Sequence, residues 1–419
     1  MNAELHEPGE PAAYKRAGRM GLEGQLLQLA GPLFHRILDR IDAGLAEGQL
    51  EVTLPNGEQR LLGGLAPGPD VAVDIASWRA LLRLATGGSI GWYQAWTRGE
   101  WSADNTIALF ELFVRNRRTL GNAARAGGLR RLIERVRHDR RDNNRRGARS
   151  NIASHYDLGN DFYAAWLDLA LNYSSAMFTH PVSEAETLEA AQQRKLAAML
   201  DRTATAPGDR ILEIGCGWGG FARVAAAAGR RVHGITLSTA QQEAISCANL
   251  PGVEITLTDY RDISDSYDAV VSIEMAEAVG LRYWGAYLGA IAKALKPGGR
   301  AAIQFIAIDD AIFDRYARNV DFIQRYIFPG GMLLSERLFR AEAEQLGLAW
   351  TDRQSLALDY VETLRRWRHN FDAAIAEGRL PRRFDRDFQA MWRYYLMYCE
   401  GGFRGGGIDV AQVTLIREG

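Results

Sequence analysis

The stretch Arg210-Ile-Leu-Glu-Ile-Gly-Cys-Gly-Trp-Gly-Gly-Phe221 runs a short apolar strand straight into a glycine-packed turn. Glycines at 215, 217, 219 and 220 permit positive φ and close approach of the main chain to a ligand at a helix start. A junction of this kind constrains the fold of the carboxyl-terminal half. Residues 210–214, 231–236, 253–258, 268–273 and 299–306 are strand-like, with helical stretches between most of them. Alternation of this sort predicts a mostly parallel sheet covered on both faces. Gly298-Gly299 marks the turn into the fifth strand, and Val410 to Ile416 is expected to close the sheet as an edge strand.

Similar glycine turns serve dinucleotides, and some serve only strand-to-helix packing. The second strand, Arg231 to Thr236, ends in Thr236 and Ser238. A nicotinamide site would usually present an acidic residue there for the ribose. The loop therefore reads as an adenosyl-cofactor site other than NAD.

At 419 residues, with a formal net charge of −1, the chain has room for two domains and is not a globally basic nucleic-acid binder. Its three cysteines, Cys216, Cys247 and Cys399, have no metal-like spacing, and their odd number suits a reducing compartment. The acidic amino terminus has no apolar core, and no run approaches the roughly 18 apolar residues of a membrane span. A cytoplasmic protein with peripheral membrane contact is expected.

Residues 1 to about 20 read as a tail, and Leu22 to Ala46 has helical spacing of apolar residues. Leu50 to Leu54 and Gln59 to Leu62 flank Pro55-Asn56-Gly57-Glu58, a hairpin signal. Val71 to Ile75 adds a strand, and Trp78 to Leu84 and Asn105 to Val114 read as helices. This gives an amino-terminal α+β domain over residues 1–124, for dimerisation or lipid engagement. The aromatic stretch Trp92-Tyr93-Gln-Ala-Trp96 motivates a homodimer and equally suits a core. A basic linker follows at 125–150: residues 125 to 149 hold ten arginines against Glu134, Asp139 and Asp142. A solvated helix and a dock for anionic lipid headgroups both fit it. Nucleic acid fits poorly, because no aromatic interleaving or base-reading motif accompanies the charge.

The third segment, 151–419, carries a series of spaced motifs. They are His155-Tyr-Asp-Leu-Gly-Asn-Asp-Phe-Tyr163, Tyr173-Ser-Ser-Ala176, the glycine loop, Gly234-Ile-Thr-Leu-Ser-Thr-Ala-Gln-Gln242, Asp259-Tyr-Arg-Asp262, Glu277-Ala-Val-Gly280, Tyr326-Ile-Phe-Pro-Gly-Gly331 and Gly402-Phe-Arg404. In this order they resemble the cyclopropane-fatty-acyl-phospholipid synthase family of class I S-adenosylmethionine (SAM) methyltransferases. The resemblance implies a Rossmann-like α/β sheet with helices on both faces and SAM as cofactor. It implies Tyr173 and Ser174 near the methionine end, Gly215, Gly217 and Gly219 under it, and Thr236, Ser238 and Gln241 at the ribose. Asp259 and Tyr260 would lie beside the adenine, and His155 and Tyr156 in a lid.

The family's chemistry begins when the π bond of an unsaturated phospholipid acyl chain attacks the sulfonium methyl. The resulting cation loses a proton, and ring closure gives a cyclopropane. Such a site needs an apolar tunnel, aromatic faces and a base held close by. The resemblance implies bicarbonate as that base, in an anion pocket formed by Ser175, Glu277, Gln304, the backbone at Ile306, and Tyr360. Many members have Cys where Ser175 stands, His where Gln304 stands, and His where Ala278 stands. With those replacements a second outcome is open: loss of a different proton, leaving a methyl-branched, methylene or furan-precursor chain. A non-catalytic SAM- or lipid-binding protein is the alternative of another class.

Overall fold

The computed structural model describes residues 31–121, 143–145, 147–148 and 158–419. They fall into two compact units that divide between residues 133 and 134.

In the first unit, helix α1 (Gly31–Gly44) precedes strands β1 (Gln49–Thr53), β2 (Gln59–Gly63) and β3 (Asp70–Asp74). Helix α2 (Trp78–Trp96), strand β4 (Ser102–Ala103) and helix α3 (Thr106–Arg115) come next. The sheet order is β2-β1-β3-β4, with the expected antiparallel β1–β2 hairpin and a parallel β1–β3 pair. Ser77 and Asn105 cap the two later helices through their side-chain oxygens, which accept from backbone N–H groups of the first turn. Helix α2 runs twelve residues beyond the end at Leu84 read from the sequence, and non-helical Gly88 (φ 56, ψ −140) kinks it inside that extension. Within that extension Trp92 is buried and stacks on Trp101, ring centroids 4.2 Å apart, while Trp101 Nε1 donates to the Trp92 carbonyl at 2.9 Å. Tyr93 is buried as well. The aromatic stretch that motivates a dimer is thus largely the core of this unit.

The second unit is built on strands β5 (Arg210–Ile214), β6 (Arg231–Thr236), β7 (Val253–Leu257), β8 (Tyr267–Ile273), β9 (Leu295–Ile308), β10 (Leu348–Ser355) and β11 (Ile408–Arg417). The helices that matter for the site are α4 (Leu188–Arg202), α5 (Gly220–Ala227), α6 (Thr239–Cys247), α7 (Trp284–Ala294), α8 (Glu336–Gln345), α9 (Ala357–Ala376) and α10 (Arg386–Arg404). The order is β10-β11-β9-β8-β5-β6-β7; β5 to β9 are parallel, and β11 runs antiparallel to β9 and to β10. This is the Rossmann-like sheet of class I methyltransferases. One apolar layer, including Leu196, Met199 and Phe221, covers one face, and another, including Tyr287, Ile291 and Phe339, covers the other.

Strand β11 corrects the expectation of an edge: it lies between β9 and β10, and residues 410–415 are buried without interruption. The true edge is β10, whose outer half is exposed and polar. Its Thr-Asp-Arg-Gln-Ser run lacks the apolar alternation that marks a strand in sequence. Among the described residues no helix is long and apolar enough to cross a membrane.

Candidate active site

The sheet order reverses at β5, with β6 and β7 to one side and β8 and β9 to the other. In open α/β sheets the crevice outside the carboxyl ends of the strands at such a reversal is where ligands bind. Two segments leave the sheet there: the glycine loop after β5, and Glu274-Met275 after β8.

The loop glycines divide the work. Gly215 (φ 79) and Gly217 (φ 52) are both left-handed. A Cβ at Gly215 would come within 2.2 Å of the Met275 side chain, so this position joins the two segments. A Cβ at Gly217 would meet nothing within 4 Å, so open space faces the main chain there. Gly219, also left-handed, starts α5. Open room over a bare backbone at a helix start suits the carboxylate end of an amino-acid-bearing cofactor.

The remaining expected cofactor residues line the same rim. Thr236 Oγ1 donates to Gln241 Oε1 at 2.7 Å, which turns the Gln241 amide nitrogen the other way. Ser238 caps α6 by accepting from the Gln241 backbone, so its hydroxyl is already engaged. Asp259 is held by Arg261 in a two-pronged pair at 2.6 and 2.8 Å, and that guanidinium also lies 5.1 Å from the Tyr260 ring centre. Burial pushes the Tyr260 phenol up to about 12, so the ring is neutral. Tyr173 Oη bonds Tyr395 Oη at 2.8 Å. Ser174 Oγ accepts from buried Lys195 Nζ at 2.7 Å. Burial brings the Lys195 ammonium down to about 8, against the pull of Glu274, Asp168 and Glu213. His155 and Tyr156 lie outside the described residues.

Ser175, Gln304 and Tyr360, three of the residues expected to form an anion pocket, converge on one carboxylate. It is that of Glu274, which the sequence motifs do not single out. Glu274 Oε1 accepts from the Ser175 N–H and from Gln304 Nε2, both at 2.8 Å, and Oε2 accepts from the Tyr360 hydroxyl at 3.1 Å. Ser175 therefore contributes its backbone, not the expected hydroxyl, which instead donates to the Ala176 carbonyl at 3.0 Å. The Ile306 N–H donates to Glu277 Oε1 and is also spent within the protein.

The Gln304 orientation is dictated from outside. Arginine only donates, so the Arg202 Nε contact at 3.1 Å fixes the Gln412 oxygen toward Arg202. The Gln412 nitrogen must then face Gln304 Oε1, at 3.0 Å, which leaves the Gln304 nitrogen for Glu274. All three side chains are buried.

Two carboxyl groups so close in a dry place do not both ionise readily. Burial, with the neighbouring Glu274 charge, pushes Glu277 up to about 8, and its Oε2 is buried with no partner among the described residues. Glu277 is thus the proton-bearing member at neutral pH. Burial also raises Glu274, but three donors and the Lys195 charge pull it back toward ionisation. Aromatic rings gather nearby: Tyr360 packs against Phe403 at 4.6 Å and Trp367 at 5.9 Å, and Tyr173 against Trp166 and Trp367. Neutral rings around an enclosed carboxylate can tolerate a transient cation.

Glu274 has one signal in the sequence, its place directly after a predicted parallel strand. Beside the family-like Glu277 motif, the earlier of two closely spaced glutamates does not stand out.

Residues 143–413 match the family model described as mycolic acid cyclopropane synthetase. Tuberculostearic acid methyltransferase UfaA1 of Mycobacterium tuberculosis is 39% identical over 358 residues, covering 80% of this chain and 81% of that one. Cyclopropane-fatty-acyl-phospholipid synthase of Escherichia coli K12 is 36% identical over 267 residues, covering 63% of this chain and 66% of that one. Among solved structures, mycolic acid cyclopropane synthase CmaA1 complexed with SAH and CTAB aligns with a TM-score of 0.59 and 29% identity, over 64% of this chain and 98% of that one.

Proposed function

The chain belongs to the mycolic acid cyclopropane synthetase family, and on that premise we propose that it methylates the double bond of an unsaturated phospholipid acyl chain and removes a proton from the cation so formed. It is an enzyme of the SAM-dependent methyltransferase class, and SAM is its cofactor. When bound, SAM supplies an electrophilic methyl group. The glycine loop with Thr236, Gln241 and Tyr260 would hold it, with Tyr173 and Ser174 at its methionine end.

The observation that carries the reading is the grouping of Glu274 and Glu277, after β8, with Gln304 of β9 and Tyr360 of α9, beside the glycine loop and among aromatic rings. An acyl double bond offers no group to hydrogen-bond, so its site needs apolar walls, rings for the cation and one proton acceptor. This site has each. Ring closure is the first outcome. The second is loss of another proton, leaving an unsaturated or branched methylated chain. One comparison favours it: the similarity to the methyltransferase UfaA1 covers more of this chain than that to the cyclopropane synthase.

The test is mass spectrometry of acyl chains after incubating the protein with SAM and monounsaturated phospholipid vesicles. A gain of one CH2 that resists ozonolysis supports ring closure. The same gain with cleavage by ozone supports the second outcome. No gain, on mono- or diunsaturated lipid, overturns both and favours a binding protein.

A further inference from the structure

Glu274 breaks two rules at once. It is a non-glycine residue at φ 51, the left-handed region that costs an ordinary side chain about 1 kcal/mol or more. It is also a carboxylate set deep in the unit, where burial disfavours charge. A glycine would remove both costs. Its partners are what an anion needs: a main-chain N–H, an amide nitrogen and a phenol converge on its two oxygens. Oε1 takes two donors, whereas Oε2 among the described residues takes only the Tyr360 hydroxyl, which leaves it a lone pair. Glu274 retains partial exposure.

We propose that the Glu274 carboxylate is the base of this enzyme, occupying with its own side chain the pocket in which a borrowed anion such as bicarbonate would otherwise sit. The inference rests on the acyl-chain reading for its substrate, not for the pocket's occupancy. Methyl transfer would spend the alkene π pair on one carbon–carbon bond as the sulfonium S–CH3 bond breaks, its electron pair leaving with the neutral thioether, and would leave a cation on the neighbouring carbon. Glu274 Oε2 then accepts a proton from the chain. The released C–H electron pair closes either the cyclopropane bond or a new double bond, and the proton ends on the carboxyl group. Glu277, already protonated, cannot compete for it. The Arg202–Gln412–Gln304 relay and Tyr360 aim Glu274, and the donors on its oxygens favour the charged form against the burial that raises it.

Three proteins in carbon-dioxide-depleted buffer provide the test: wild type, Glu274→Gln and Glu274→Gly. Turnover on vesicles is followed with and without added bicarbonate, and bicarbonate binding is measured separately by calorimetry. Wild type should turn over equally with or without bicarbonate and bind none. E274Q should lose about 100-fold or more in turnover, with no rescue, because its pocket stays filled. E274G, whose backbone strain is relieved, should fold, lose turnover to a similar degree, bind bicarbonate, and recover at least about 10-fold when it is added. Wild-type turnover that requires bicarbonate, calorimetric uptake of bicarbonate by wild type, or full activity of E274Q would each overturn the proposal. Failure of the acyl-chain reading is seen differently: no wild-type product on any vesicle, with the calorimetric contrast between wild type and E274G intact.

Discussion

Two glycines two positions apart should fail in different ways. Gly215→Ala places a methyl against the Met275 side chain in a left-handed backbone and should cost about 2–3 kcal/mol of stability, read by denaturant unfolding. Gly217→Ala carries only the backbone penalty, about 1 kcal/mol, but projects into open space over the loop. It should weaken S-adenosylhomocysteine binding at least about tenfold by calorimetry; unchanged affinity would remove Gly217 from the cofactor site. Glu277 supplies a pH signature. Its value in the fold, about 8, lies above the ordinary 4.5, so the neutral form stabilises fully below 4.5 and that contribution is lost as pH rises through about 8. Wild type should therefore lose thermal stability relative to Glu277→Gln over that window. Glu213 is pushed up over the same range, but it titrates in both proteins and cancels in the difference. Parallel profiles would show that Glu277 is not the buried acid.

Helices α9 and α10 border the candidate site, since Tyr360 sits on one and Tyr395, which bonds Tyr173, on the other. A buried ion pair ties them: Arg368 Nε donates to Glu400 Oε2 at 3.0 Å, with side chains 6% and 0% exposed. Glu400 Oε1 also accepts from Arg404 at 2.5 Å, so removing Arg368 halves the pairing of a buried charge without abolishing it, and Arg368→Met should cost about 2–3 kcal/mol, whereas adding Glu400→Leu should recover much of it. A double variant as unstable as the single one would contradict that account. The same elements mark what sequence could and could not disclose. Strands β5 to β9 were legible because short apolar runs alternate with helical stretches and β5 runs straight into a glycine turn, and the spaced motifs named several of the residues that meet around Glu274. Strand β10 was not, because its outer half is exposed and polar, so no apolar alternation marks it. Glu274 was not, because its significance lies in three donors from residues 175, 304 and 360, brought together only by the sheet and α9. The amide relay through Gln412 was equally hidden, being a matter of which way each side chain turns.

At the scale of the whole molecule, charge is segregated: the chain is nearly neutral, yet residues 125 to 149 hold ten arginines against three acids. We propose that this segment docks the enzyme on anionic headgroups. Binding to phosphatidylglycerol vesicles should weaken as salt rises, and replacing five of those arginines with glutamine should weaken it at low salt by an order of magnitude or more, at about 1 kcal/mol per charge near the surface. Vesicle binding unchanged by both would remove the segment from lipid contact. The left-handed backbone at Glu274 reaches further than the reaction it serves. Glutamate codons become glycine codons by one base substitution, and glycine is the residue this backbone accepts without strain. A lineage can thus pass in one mutational step between carrying its base in its genes and drawing it from dissolved carbon dioxide, so the enzyme's dependence on its surroundings is open to selection without rebuilding the fold.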